Sequence, residues 1–235
     1  QGATNTLERQ LSGKAPGVQV TSISGEPGSS TSIRIRGTNS IIGNNEPLFV
    51  IDGIPYGNNL GAELNVNDIE SVEILKDASS TAIYGSRGAN GVVLITTKKG
   101  RTGKPQVSFD TYIGQNSLAM KMELLNAEQI AEVHRMAIQN GLVTPLYDPD
   151  EVTGKGTDWQ DEAYRNAPTQ NYNLSISGGY QNLTYLISGN YLSEEGILIN
   201  SGFDRYSLRS NLQANVSDKF TVGLNLYGSM TDANR

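Results

Sequence analysis

The sequence predicts an α+β domain over residues 1–104, followed by antiparallel β-strands of an incomplete transmembrane β-barrel over residues 105–235. Three observations predict it. Hydrophobic periodicity changes near Lys104 from mixed helix and strand to strict alternation. About five segments then alternate at the ~10-residue length of a tilted strand that crosses a bilayer. Long and short connections between them also alternate, as in membrane barrels with tight turns at one rim and long loops at the other.

In the leading domain, Leu7 and Leu11 share the face of a short helix that starts after Thr4-Asn5-Thr6 and stops at Gly13. Val18 and Val20 alternate as a strand. A Gly/Ser/Pro loop covers Ser24–Ser32, and Ser32–Arg36 alternates again. Pro47–Pro55 reads as a buried strand closed by the Asp52-Gly53 turn. Asp68–Lys76 reads as a helical turn running into a strand. Asp77 is placed to cap a helix over Ala78–Tyr84 that Gly85 stops, and Gly91–Thr97 is a further strand.

The trailing half places Val107, Phe109, Thr111 and Ile113 on one face of a first strand. Tyr172, Leu174 and Ile176 follow on a second, and Leu183, Tyr185, Ile187 and Tyr191 on a third, where Leu186 breaks the alternation. Tyr206, Leu208, Leu212, Ala214 and Val216 line a fourth; Phe220, Val222, Leu224, Leu226 and Met230 line a fifth. The opposite phase is Arg, Asn, Gln and Ser throughout, which suits a solvated sandwich face and a barrel lumen equally. Connections tilt the balance: 178–182 and 217–219 are tight, 193–204 is longer, and 115–170 is very long. In an antiparallel arrangement Tyr172, Tyr191 and Tyr206 fall at one edge of the apolar face and Phe220 at the other, the positions of lipid-interface aromatics. The long excursion carries one helix at 126–141, with Asn126 and Gln129 forming a capping box.

Composition narrows the function classes. The net charge of −6 disfavours a nucleic-acid partner. Cysteine is absent, so there is neither a disulfide framework nor a thiolate metal site. No run reaches the roughly 18 apolar residues of a membrane helix. The first residues have no signal-peptide character, which places the true N-terminus of an exported protein upstream.

Four segments occur in a recognisable order: LERQLSGKAPGVQV (Leu7–Val20), SIRIRGTNS (Ser32–Ser40), PLFVIDGIP (Pro47–Pro55) and IESVEILKDASSTAIYGSRGANGVVLITTKKG (Ile69–Gly100). Together they resemble the plug domain of SusC/RagA-type TonB-dependent outer-membrane transporters. Thr157–Gly179 resembles that family's approach to its second barrel strand. The resemblance implies a plug domain at 1–104 and the start of a barrel from 105, in the outer membrane of Bacteroidetes-type bacteria. It implies import of glycan (oligosaccharide) or peptide substrate and a SusD-like surface lipoprotein as partner. TonB would supply energy through a segment N-terminal to the plug, absent from this chain. It implies contact with outer-membrane lipid, no cofactor and no enzyme activity. Plugged barrels need about 22 strands, so about five mark a fragment or a truncated reading frame.

A plug that must be displaced should hold its wall by polar contacts, and Arg34, Arg36, Lys76 and Arg87 are the candidates for pairing with lumen carboxylates. Gly37, Gly53, Gly85, Gly88 and Gly91 serve tight turns. An enzyme is disfavoured because the one histidine, His134, lies on a helix surface and no nucleophile elbow occurs. The acidic loop Asp148, Asp150, Glu151, Asp158 fails the EF-hand template at Val152 and Thr153. A soluble binding module and a siderophore or cobalamin receptor remain as alternatives.

Overall fold

The computed structural model describes residues 11, 16–22, 24–29, 31–35, 37, 45–58, 64–144, 147–217 and 219–234. The expected helix over residues 7–13 lies almost wholly outside them. The chain divides into two compact units, Gln1–Gln115 with Pro168–Gly196 and Asn200–Arg235, and Asn116–Ala167 with Ile197–Ile199.

The first unit begins with β1 (Val18–Ser22) and β2 (Thr31–Ile35), an antiparallel pair in which Val20 faces Ile33. A second sheet has the order β4-β3-β6-β5, built from β3 (Leu48–Ile51), β4 (Ile54–Gly57), β5 (Ile69–Leu75) and β6 (Val92–Thr97). β3 and β6 run parallel and the other pairs antiparallel. The connection from β3 to β4 is the two-residue turn Asp52-Gly53, both at positive φ (49° and 85°), so its twist matches the strands it joins. The stretch read as one strand is therefore a hairpin. A 3-10 turn at Val66–Asp68 runs into β5. The expected helix after Asp77 is shorter and tighter: α1 (Ala78–Thr81) passes into a 3-10 segment, Ala82–Gly88, kinked at Gly85. Asp77 holds the N-cap position but makes no capping bond with its side chain.

This sheet buries both faces. On one side Ile33 and Ile35 of β2 pack with Phe49, Leu64, Val93 and Ile95; on the other Leu48, Val50 and Val92 pack with Leu75 and Tyr84. Each such side chain contributes about 1.5–3 kcal/mol by leaving water.

The five-stranded sheet is a meander in the order β11-β10-β9-β8-β7 and is not closed. Its strands are β7 (Gly103–Asn116), β8 (Ala167–Tyr180), β9 (Leu183–Glu195), β10 (Gly202–Ser217) and β11 (Phe220–Asn234), between 13 and 16 residues each. They are longer than expected because pairing continues past the apolar segments. Glu195 still pairs with Gly202, so the connection from β9 to β10 shrinks to Gly196–Ser201.

In the second unit, α2 (Ala127–Gln139) carries the capping box: Gln129 N donates to Asn126 Oδ1 and Asn126 N to Gln129 Oε1, both at 2.9 Å. The single expected helix is joined by another, α3 (Trp159–Ala163), whose N-cap Asp158 accepts from Gln160 N and Asp161 N. It is too short to show a hydrophobic period, which is why the pattern missed it. No helix among the described residues is long and apolar enough to cross a membrane.

Candidate functional site

On the three central strands of the five-stranded sheet burial is inverted relative to a water-soluble fold, while β7 and β11 are exposed on both faces. The polar phase is covered: Thr169, Asn171 and Asn173 on β8, Ser188 and Asn190 on β9, and Arg205, Ser207, Arg209 and Asn211 on β10 are all buried. The apolar phase is bare, with Leu174 47%, Ile187 46% and Leu208 64% exposed. What covers the polar phase is the leading domain.

The two meet through hydrogen bonds to charged and amide groups. Arg209 Nη1 donates to the carbonyl of Asp68 at 3.1 Å, and its Nη2 bonds to Thr97 Oγ1 and lies 3.5 Å from Asp52 Oδ2. Asp52 in turn accepts from Thr97 N at 2.9 Å and from the Thr97 hydroxyl. One wall arginine thus ties the β3–β4 turn, the start of β5 and the end of β6 together. Four residues along β10, Arg205 Nη1 donates to the Leu64 carbonyl at 3.1 Å and Nη2 to Asn190 Oδ1 at 3.1 Å. Asn65 Nδ2 donates to Asn173 Oδ1 at 2.9 Å, and the Ser188 hydroxyl to Asp68 Oδ1 at 2.7 Å. Bonds to charged groups of this kind are worth about 1.5–3 kcal/mol each. The Arg209 and Asp52 side chains are only 5% and 15% exposed, so removing one strands the other in a poorly hydrated place.

Gly100, where the chain leaves the leading domain, lies against the backbone of Tyr185; a Cβ there would come within 2.4 Å of Tyr185 N and O. Only glycine allows that approach.

The candidates named from sequence fall elsewhere. Arg34 and Arg87 are exposed, Lys76 bonds to the Pro16 carbonyl within its own domain, and Arg36 lies outside the described residues. The described contacts place arginine on the wall and carboxylate on the leading domain, a pairing that the sequence reading did not single out. Gly37, Gly53, Gly85 and Gly91 take positive φ. Gly88 does not; its constraint is packing, since a Cβ would meet the Thr81 carbonyl at 2.9 Å. Arg209 was legible only as a member of the polar phase, and Arg205 lay just before the strand as read from the sequence.

Tyr172, Tyr191 and Tyr206 lie directly opposite one another on β8, β9 and β10, with Met230 next on β11. Their rings stack, centroids 6.4 Å and 4.7 Å apart. On the same face, the rows toward the tight turns are Leu174, Gly189, Leu208, Gly228 and then Ile176, Ile187, Ser210, Leu226. The row on the other side is Gln170, Ser193, Asp204, Asp232, wholly polar. The tyrosines therefore sit where the apolar band gives way to polar residues. Phe220 opens β11 at the opposite rim and is 58% exposed.

The second unit holds no metal constellation among the described residues. Of its acidic residues, Asp158 and Asp161 flank Lys121 Nζ at 2.6 and 2.7 Å. The hydrogen bond to Lys121 holds the Asp158 carboxyl below its ordinary range, and the bonds to Asp158 and Asp161 raise Lys121. His134 is half-buried and stacks on Tyr147 at 5.1 Å.

Residues 1–92 match the family model of the TonB-dependent receptor plug domain. The chain belongs to the TonB-dependent receptors of the SusC/RagA type. It is 46% identical over 231 residues to the TonB-dependent receptor P26 of Formosa agariphila, covering 96% of this chain and 23% of that protein. It is 36% identical over 244 residues to the TonB-dependent receptor SusC of Bacteroides thetaiotaomicron, covering 97% and 24%. The RagAB peptide transporter superposes with a TM-score of 0.87 at 30% identity, over all of this chain and 30% of that one. The siderophore receptor PirA from Pseudomonas aeruginosa, at 20% identity and a TM-score of 0.55 over 93% and 34%, shares the fold alone. This chain spans about a quarter of the curated relatives it matches. These relatives are receptors and transporters, not enzymes, and the family's place is the bacterial outer membrane. In this SusC/RagA-type chain the leading domain is the plug and the open sheet is the first part of the barrel wall.

Proposed function

We propose that the receptor carrying this chain imports a nutrient oligosaccharide or peptide across the outer membrane, energised by TonB and assisted by a SusD-like surface lipoprotein. The observation that carries the reading is the inverted sheet. Its outward face is an apolar band, and its inward face holds a domain mainly by hydrogen bonds and an ion pair, with Leu192 and Phe203 as a small apolar contact. Polar contacts can be exchanged for water one at a time, so a stopper held by them can be moved by force and return. Similarity to SusC and to a peptide transporter supports the cargo class. Within this reading, residues 1–104 are the plug and 105–235 the first wall strands and a long outer loop. Tyr172, Tyr191, Tyr206 and Phe220 lie at the lipid headgroups, and Arg34, Lys76 and Arg87 face wall strands other than these five.

The test is uptake by cells that carry or lack the full-length receptor gene, supplied with defined oligosaccharides or peptides as sole nutrient, with and without a protonophore. Uptake should need both the gene and the proton gradient. Unchanged uptake in the deletion strain across the panel, or recovery of the intact receptor in the soluble fraction, overturns the proposal.

A further inference from the structure

Across the five wall strands described, the plug is not held evenly. The hydrogen bonds and the ion pair described above reach β8, β9 and β10, and the tightest backbone approach, Gly100 on Tyr185, is to β9. Beside them lies a cavity of about 640 Å³ between the plug and the wall formed by β7 and the tight-turn half of β8. Its plug side includes Glu70 and Lys99; its wall side includes Gln106, Ser108, Asp110 and Ser175. At ~30 Å³ per molecule that space accommodates about twenty waters, and with such a lining it is wet.

We infer that cargo passes the plug along β7 and β8, through this cavity, while β10 keeps its hold through Arg205 and Arg209. The inference rests on the transporter reading and adds the side of the barrel on which the path opens. Enlarging this cavity displaces water and breaks the neutral amide bond to β8, Asn65 to Asn173, whereas opening the β10 side uncovers two buried guanidinium groups together. The lining also states the cargo chemistry. Amide and hydroxyl groups can exchange hydrogen bonds along a polar chain, and the charges on the lining are of both signs, Asp68, Glu70 and Asp110 against Lys98, Lys99, Arg101 and Lys104. A wall of mixed sign favours an uncharged or zwitterionic polar chain over a strongly anionic or cationic one.

The experiment uses the full-length receptor in intact cells with a single thiol introduced at Ser175→Cys in the cavity, or at Ser207→Cys on β10 as the held side; this chain has no native cysteine. The probe is a membrane-impermeant maleimide, and labelling rates are compared with and without a protonophore. The Ser175→Cys rate should rise several-fold on energisation while that of Ser207→Cys stays unchanged. A rise at Ser207→Cys, alone or together with Ser175→Cys, overturns the route and leaves the transporter standing. No rise at either position, with the receptor present in the membrane, overturns energised plug movement itself and the route with it.

Discussion

Arg209 shows how much can rest on one side chain. Its guanidinium is buried, and its partners Asp68, Thr97 and Asp52 come from three separate plug elements. Arg209→Ala leaves the Asp52 carboxylate covered without its cation, a loss of about 3–5 kcal/mol by the usual cost of breaking a buried pair. Asp52→Asn keeps the shape and some of the hydrogen bonds, so it should cost less. The double variant should cost less than the sum, because the two share one interaction. Protease sensitivity of the plug in full-length receptor, titrated against denaturant, measures all three; strict additivity would show that the pair is not coupled. At Gly100, alanine meets the backbone of Tyr185 rather than a yielding side chain. Gly100→Ala should destabilise plug docking by about 1–3 kcal/mol, the cost of overpacking, in the same assay, and wild-type resistance would place that segment farther from β9. None of this was readable beforehand. Alternation assigned Arg209 to the polar phase, but Arg209 and Thr97 are 112 residues apart, and no local pattern pairs them. The plug cations named from sequence are a separate set, and nothing local marked the wall arginines as anchors.

Elements were more legible than contacts. All five wall strands follow from alternation, because a strand with apolar residues on one face and polar groups on the other has no freedom to shift by one residue. Leu186, the one break in that alternation, is explained by burial: on the inward face of β9 it is 6% exposed and borders the plug cavity. α2 was legible because its capping box is a local signal. α3 was not, and its stability depends on charge. Asp158 both caps α3 and pairs with Lys121. Its carboxyl titrates below the ordinary 3.8, so the stabilisation is present above that value and is lost as pH falls through the depressed one. Lys121 is raised above 10.5, so its contribution is complete below 10.5 and is lost as pH rises through the raised value. The pair should therefore be intact from about pH 4 to 10, the window those two directions define. Both groups are exposed, so the effect is local. Amide exchange at Gln160 and Asp161 should show it, and an Asp158 titration by NMR at or above 3.8 would contradict it.

At the scale of the whole molecule, the decisive distinction is between a sheet facing lipid and a sheet facing water, and the rows of the outward face make it measurable. A water-soluble sandwich has no depth coordinate: arginine at any bare apolar position costs little. A bilayer has one. The middle row of the apolar band holds Ile176, Ile187, Ser210 and Leu226; Leu208 lies one row toward the tyrosines and Leu224 one row toward the tight turns. Arginine on the lipid face costs about 2–4 kcal/mol at the midplane and falls to about 0–1 near the interfaces. Leu226→Arg should therefore impair membrane assembly of the full-length receptor most, with Leu208→Arg and Leu224→Arg intermediate. The inward-phase reference must avoid the plug anchor. Asn211 and Asn225 bond to each other, Asn211 is buried against Gly100 N, and Asn225 shares a cavity with Arg209, so a cation there disturbs docking rather than membrane insertion. Thr221, on the inward phase of β11, is exposed and among the described residues bonds only toward Asn215 on the neighbouring strand, which makes it the cleaner site. Thr221→Arg should assemble close to wild type. Heat-modifiable gel migration of membrane fractions scores all four, and equal migration across the series, with no dependence on row, would mean that the bare face of this sheet never meets hydrocarbon.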